Sequence, residues 1–109
     1  MSYKVIAIPQ FKRDFKKLSK KYPSLKNEFL ELIEILEQKP TTGTSIGNHC
    51  YKIRLAVASK GKGKSGGARV VTCVQVVQSS VYLLSIYDKS DQETITDKNL
   101  SALLRYLPE

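Results

Sequence analysis

CYKIRLAVASKGKGKSGGARVVTCVQVV, residues 50–77, reads as two strands and the turn between them. From Cys50 to Ala58, Tyr51, Ile53, Leu55 and Val57 alternate with Lys52 and Arg54. That is the period of a strand with one apolar and one basic face. Ala68 to Val77 is rich in β-branched residues and strand-like. Between the two, Lys60, Lys62 and Lys64 alternate with glycines in a loop that reads as flexible. A third run, VYLLSIY from Val81 to Tyr87, follows the short Gln78-Ser79-Ser80 link, so the last two strands form an antiparallel hairpin.

Working outward, Ser2 to Ile8 alternates weakly and reads as a short strand. Pro9 suits the first turn of a helix. Phe11, Phe15, Leu18 and Tyr22 then recur along one helical face, with Lys12, Arg13, Lys16, Lys17, Lys20 and Lys21 opposite. Pro23-Ser24 starts a second helix with the stripe Leu25, Phe29, Leu32, Ile33 and Leu36. The turn between the helices is very short, so they pack as an antiparallel hairpin and need the sheet to cover their apolar sides. Lys39 to Asn48 reads as a loop. Ser90-Asp91-Gln92-Glu93 has the capping-box pattern before a C-terminal helix with Ile95, Leu100, Leu103, Leu104 and Leu107. The expected order is β-α-α-β-β-β-α. It makes an α+β fold with an antiparallel sheet of about four strands, in one domain over residues 1–109.

The chain carries a formal charge of +8, unevenly placed. Only Asp14 is acidic between Met1 and Lys26. Glu28, Glu31, Glu34 and Glu37 follow at spacing three. From Gln38 to Tyr87 there is no acid, while Lys39, Lys52, Arg54, Lys60, Lys62, Lys64 and Arg69 are basic. One-signed charge over such a stretch suits a surface that holds phosphates. Other chemistries fit badly. His49 is alone, which rules out a histidine-based metal cluster or a Ser/His/Asp triad. Cys50 and Cys73 have no neighbouring ligands and read as reduced cytosolic thiols. Gly63-Lys64-Ser65 lacks the glycine a phosphate loop needs five residues earlier, where Ala58 stands, and it precedes a strand rather than a helix. Lys12 and Arg13 argue against a secretory leader, and no apolar run spans a bilayer.

Lys52-Ile53-Arg54, Gly66-Gly67-Ala68-Arg69-Val70 and Ile86-Tyr87-Asp88-Lys89-Ser90 together resemble the strands of the RelE/ParE superfamily of bacterial toxins. The resemblance is greatest to the RelE and HigB-type ribosome-dependent mRNA endonucleases, and the element order fits along nearly the whole chain. It implies a cytoplasmic toxin of a type II toxin–antitoxin pair. Such a toxin cleaves mRNA in the ribosomal A site by attack of a ribose 2′-OH on the adjacent phosphate, without metal or other cofactor. Lys52 and Arg54 match the paired basic positions of the family. Arg69 matches its phosphate-clamping arginine, and Lys89 stands where relatives often have an arginine. Lys52 is the first candidate for the base, because crowding by Arg54 and Arg69 favours a neutral amine. Tyr87 is a candidate for stacking or proton handling. Lys60, Lys62 and Lys64 are expected to act as a flexible clamp on RNA backbone, ordered by binding.

The sequence also departs from the family. Several relatives use a tyrosine or histidine near the C-terminus in catalysis, where this chain has Tyr106 in what reads as a packed helix. Cys73 stands near a position that is often aromatic. The resemblance leaves two alternatives, a DNA gyrase poison on the same fold and an inactive relative that only binds RNA or antitoxin. Its implied partners are the ribosome, mRNA and a cognate antitoxin, of helix-turn-helix type in HigB-type relatives.

Overall fold

The computed structural model describes residues 2–108 apart from Lys62 and Glu93. Five strands form one sheet in the order β1-β5-β4-β3-β2. They are β1 (Lys4–Ala7), β2 (Thr44–Gly47), β3 (Cys50–Leu55), β4 (Ala68–Gln75) and β5 (Ser80–Asp88). The helices are α1 (Pro9–Lys21), α2 (Leu25–Gln38), a single turn α3 (Gly63–Gly66) and α4 (Asp97–Leu104).

The α+β class is as the sequence suggests, with two differences in the sheet. Thr44–Gly47, read above as loop, is a fifth strand paired antiparallel with β3. Its four residues are too few and too polar to show a period. It turns into β3 through Asn48 and His49, whose φ angles of 55° and 61° are those of a tight hairpin turn. The sheet is also mixed. β1 runs parallel to β5, with Lys4 opposite Ser80 and Ala7 opposite Leu83, because the helical hairpin carries the chain away before the next strand begins.

β4 and β5 are buried along almost their whole length, as expected of central strands covered on both faces. Val70, Val71, Val81, Leu83 and Leu84 form the middle of the core with Phe11, Leu25 and Leu36 from the helices. Phe15 and Phe29, with ring centroids 4.6 Å apart, close the hairpin of α1 and α2.

The C-terminal helix begins later than the capping box suggested. Its cap is Thr96, whose side chain accepts from the Asn99 amide at 3.1 Å. Ser90 is engaged elsewhere, as described below. Tyr106 lies beyond α4 and is 63% exposed, not packed.

Candidate active site

The register of the three central strands builds a row of candidate side chains. Arg54 on β3 lies opposite Arg69 on β4, and Arg69 lies opposite Tyr87 on β5. One step along the same face, Lys52 lies opposite Val71, and Val71 opposite Ser85. The Val74 amide donates to the His49 carbonyl at 2.9 Å. Residues 49 and 74 are therefore a hydrogen-bonded pair. By alternation, the pairs at Cys50, Lys52 and Arg54 are of the other kind, in which opposed side chains come closest. Two arginines thus stand directly across from each other at the close spacing. Like charges so placed work against the sheet, and they suit an anion held between them.

Burial divides the row. Arg54 is exposed and Lys52 is half-buried. Arg69 is only 3% exposed, with Nη1 donating to the Ala68 carbonyl at 3.1 Å. Tyr87 is also buried, and its hydroxyl forms no hydrogen bond of full geometry, although Thr94 and the Ile95 backbone lie close. Burial pushes the Tyr87 hydroxyl above its ordinary value, against the pull of Arg69, Thr94 and Ile95. It is therefore protonated at neutral pH. Lys89 is half-buried just past β5, where its amide donates to the Gly67 carbonyl at 3.1 Å. Of the five candidates on or beside the strands, the register thus brings Arg54, Arg69 and Tyr87 into one row, with Lys52 in the next. Lys89 is joined through its backbone to the start of β4.

The lysine-glycine loop is more ordered than its composition suggests. Ala58–Lys60 forms a 3-10 turn, closed by Gly61 in the left-handed region at φ 74°. The α2 N-terminus grips this turn. Glu28 Oε2 accepts from the Ala58 amide at 2.6 Å, and Ser24 Oγ accepts from the Ser59 amide at 2.9 Å. Lys60, expected on a flexible RNA clamp, points inward with its side chain 7% exposed. It pairs with the buried carboxylate of Asp88 and donates to Ser90 Oγ at 2.9 Å. Its Nζ also lies 3.4 Å from the Gly67 carbonyl. The reason is electrostatic, because a buried carboxylate needs a cation and Lys60 is in reach. Lys62 lies outside the described residues, and of Lys64 only the backbone is described, within α3.

Asp88 is the residue the sequence reading passed over. It accepts from Tyr22 Oη at 2.6 Å and from the Ser90 amide at 2.9 Å, in addition to Lys60. Burial alone pushes its carboxyl up, but Lys60, Tyr22 and the Ser90 amide together outweigh that and hold it well below the usual carboxylate range. This network joins α1, the loop and the end of β5 beside the arginine row. Lys17 and Lys21 of α1 line a depression here with Tyr87 and Gln92, and Asp14, Asp88 and Asp91 line it as well.

Gly67 completes the frame. A Cβ at this position would sit 2.1 Å from the Leu55 carbonyl oxygen. Only glycine lets β4 start this close to β3. Gly67→Ala is expected to lower stability by about 1–3 kcal/mol, read as a shift in the urea midpoint.

Among the described residues, no three His, Cys, Asp or Glu side chains come together as metal ligands. No helix is long and apolar enough to cross a membrane.

Comparison with known proteins agrees with this architecture. A doubly substituted mutant of the E. coli toxin RelE in the free state superposes with a TM-score of 0.63, at 17% identity, covering 99% of this chain and 100% of that one. The isolated E. coli RelE toxin superposes with a TM-score of 0.56 at 23% identity, covering 97% and 100%. These likenesses establish the fold. The family model of the RelE toxin of the RelE/RelB toxin–antitoxin system matches residues 10–107. The chain therefore belongs to the RelE toxin family, and its partner class is an antitoxin.

Proposed function

We propose that this toxin cleaves mRNA on the ribosome by attack of a ribose 2′-oxygen on the adjacent phosphorus. The carrying observation is the close-spaced pair of Arg54 and Arg69, with Lys52 in the next row of the same face. In the reaction the 2′-O–P bond forms and the P–O5′ bond breaks. The products are a 2′,3′-cyclic phosphate and a 5′-hydroxyl. Negative charge grows on the non-bridging oxygens, where two guanidinium forks and a lysine stabilise it most. Lys52 takes the 2′ proton. Tyr87, kept protonated by burial, gives one to the leaving 5′-oxygen. Lys89 adds positive charge at the end of β5. The exposed Lys12, Lys16, Lys17, Lys20 and Lys21 of α1 favour RNA as the partner surface.

Ribosome dependence follows from what the site lacks. No histidine or carboxylate serves as a strong base in the row, so rate must come from holding the 2′-oxygen in line with the P–O5′ bond. The expected result in a purified translation system is mRNA cut only when ribosomes are present, with 2′,3′-cyclic phosphate ends. Equal cutting of free RNA would overturn the ribosome requirement. No cutting in either reaction would overturn the nuclease reading and leave the gyrase or binding-only alternatives.

A further inference from the structure

The sheet face that carries the arginine row also carries both cysteines of the chain. Cys50 and Cys73 are register partners on β3 and β4, one step beyond Lys52. Both are free thiols, 0% and 3% exposed. They fall in a non-hydrogen-bonded pair, where opposed Cα atoms stand about 4.5 Å apart. A disulfide spans Cα separations of about 4.4–6.8 Å. Their sulfurs point the same way. Cys50 Sγ lies 3.4 Å and Cys73 Sγ 3.8 Å from the Asn48 carbonyl oxygen. The two thiols also lie in hydrogen-bonding contact with each other.

We infer that Cys50 and Cys73 form an intrachain disulfide when the protein meets hydrogen peroxide. The atoms balance in two steps. The Cys73 thiolate attacks one peroxide oxygen and the O–O bond breaks. Water leaves after protonation, and Cys73 becomes a sulfenic acid. The Cys50 sulfur then attacks Cys73 sulfur, the S–O bond breaks, and a second water leaves with the thiol proton. The protein loses two electrons and two protons, and the peroxide is reduced to two waters. The contact between the thiols lets the S–H of one stabilise a thiolate on the other, and the steps are written with Cys73 attacking first.

Access comes from the end of the sheet. The pair sits beside the Asn48–His49 turn and next to the four-residue edge strand β2. Peroxide reaches the buried sulfurs when this end of the ladder, with its two-residue turn and four-residue edge strand, parts locally. The resulting bond would strap β3 to β4 without changing their register. It would enclose the lysine-glycine loop in a covalent ring.

The test uses the full reduced chain treated with hydrogen peroxide, then denatured and alkylated with N-ethylmaleimide. The expected product is a monomer on a non-reducing gel that takes up no maleimide. Its mass is lower by two hydrogens, and dithiothreitol reverses the change. Its thermal midpoint is expected to rise by about 10 °C. Two maleimides on every molecule would overturn the inference. So would higher oxidation of Cys73 without a cross-link, cross-links only between chains, or a lowered thermal midpoint. These readouts do not depend on nuclease activity.

Discussion

Arg69→Lys is expected to lower the rate of mRNA cleavage on the ribosome by about 10²–10³-fold, the loss seen when one preorganised donor to a developing oxyanion is removed. The substitution keeps the positive charge and loses the planar fork. Arg69 is the buried member of the arginine pair, 3% exposed and flanked in register by Arg54 and Tyr87. Such a side chain has little freedom, so its donors are already aimed when substrate arrives. Arg69→Ala would add a cavity beneath the row and mix folding with chemistry. Arg54→Ala, at the exposed end, should weaken cleavage less, since solvent screens that charge. The measurement is single-turnover cleavage with ribosomes in excess, beside a thermal melt of each variant. Arg69→Lys cutting at the wild-type rate would remove Arg69 from the mechanism.

The largest expected effect on stability is at Asp88. Asp88→Asn leaves the Lys60 ammonium in its pocket without a countercharge, where its side chain is 7% exposed. Removing one partner of a buried pair costs about 3–5 kcal/mol. The loss would also release the turn at Ala58–Lys60 and the Gly67 carbonyl that Lys60 approaches. The pH dependence has a fixed sign. The folded carboxyl is held below its ordinary value of 3.8, so its contribution is complete above that pH and fades as pH falls further. Urea midpoints at neutral pH should separate wild type from variant widely. The gap should narrow once the pH drops below 3.8. A constant gap down to strong acid would mean that the Asp88 charge is not what stabilises the fold.

Much of the fold is legible because it rests on local pattern. The alternation of Tyr51, Ile53 and Leu55 with Lys52 and Arg54 gives both the strand and the basic face. The β-branched runs give the next two strands, and the resemblance supplies Arg69 and Tyr87. What stayed hidden depends on distant partners. Arg54 faces Arg69 only because the intervening loop has a particular folded length, and composition does not reveal that length. Lys60 looks like any loop lysine until Asp88, far along the chain, is brought beneath it. Ser90 makes a plausible helix cap, but its amide and hydroxyl serve Asp88 and Lys60, so the helix waits for Thr96. The β2 strand left one usable signal, the Gly47-Asn48 step ahead of Cys50, where a tight turn favours such residues.

The parallel pairing of β1 with β5 has a kinetic consequence. The first strand made has as its neighbour the last strand made, with Lys4 against Ser80. Until β5 leaves the ribosome, β1 has no ladder to join, and Arg69 has no Tyr87 beside it. Closing so long a loop is slow and comes late in folding. A nascent chain of this toxin therefore cannot carry an assembled row of Arg54, Arg69 and Tyr87 while its C-terminal quarter is unmade. The topology itself delays assembly of this row until synthesis is nearly complete.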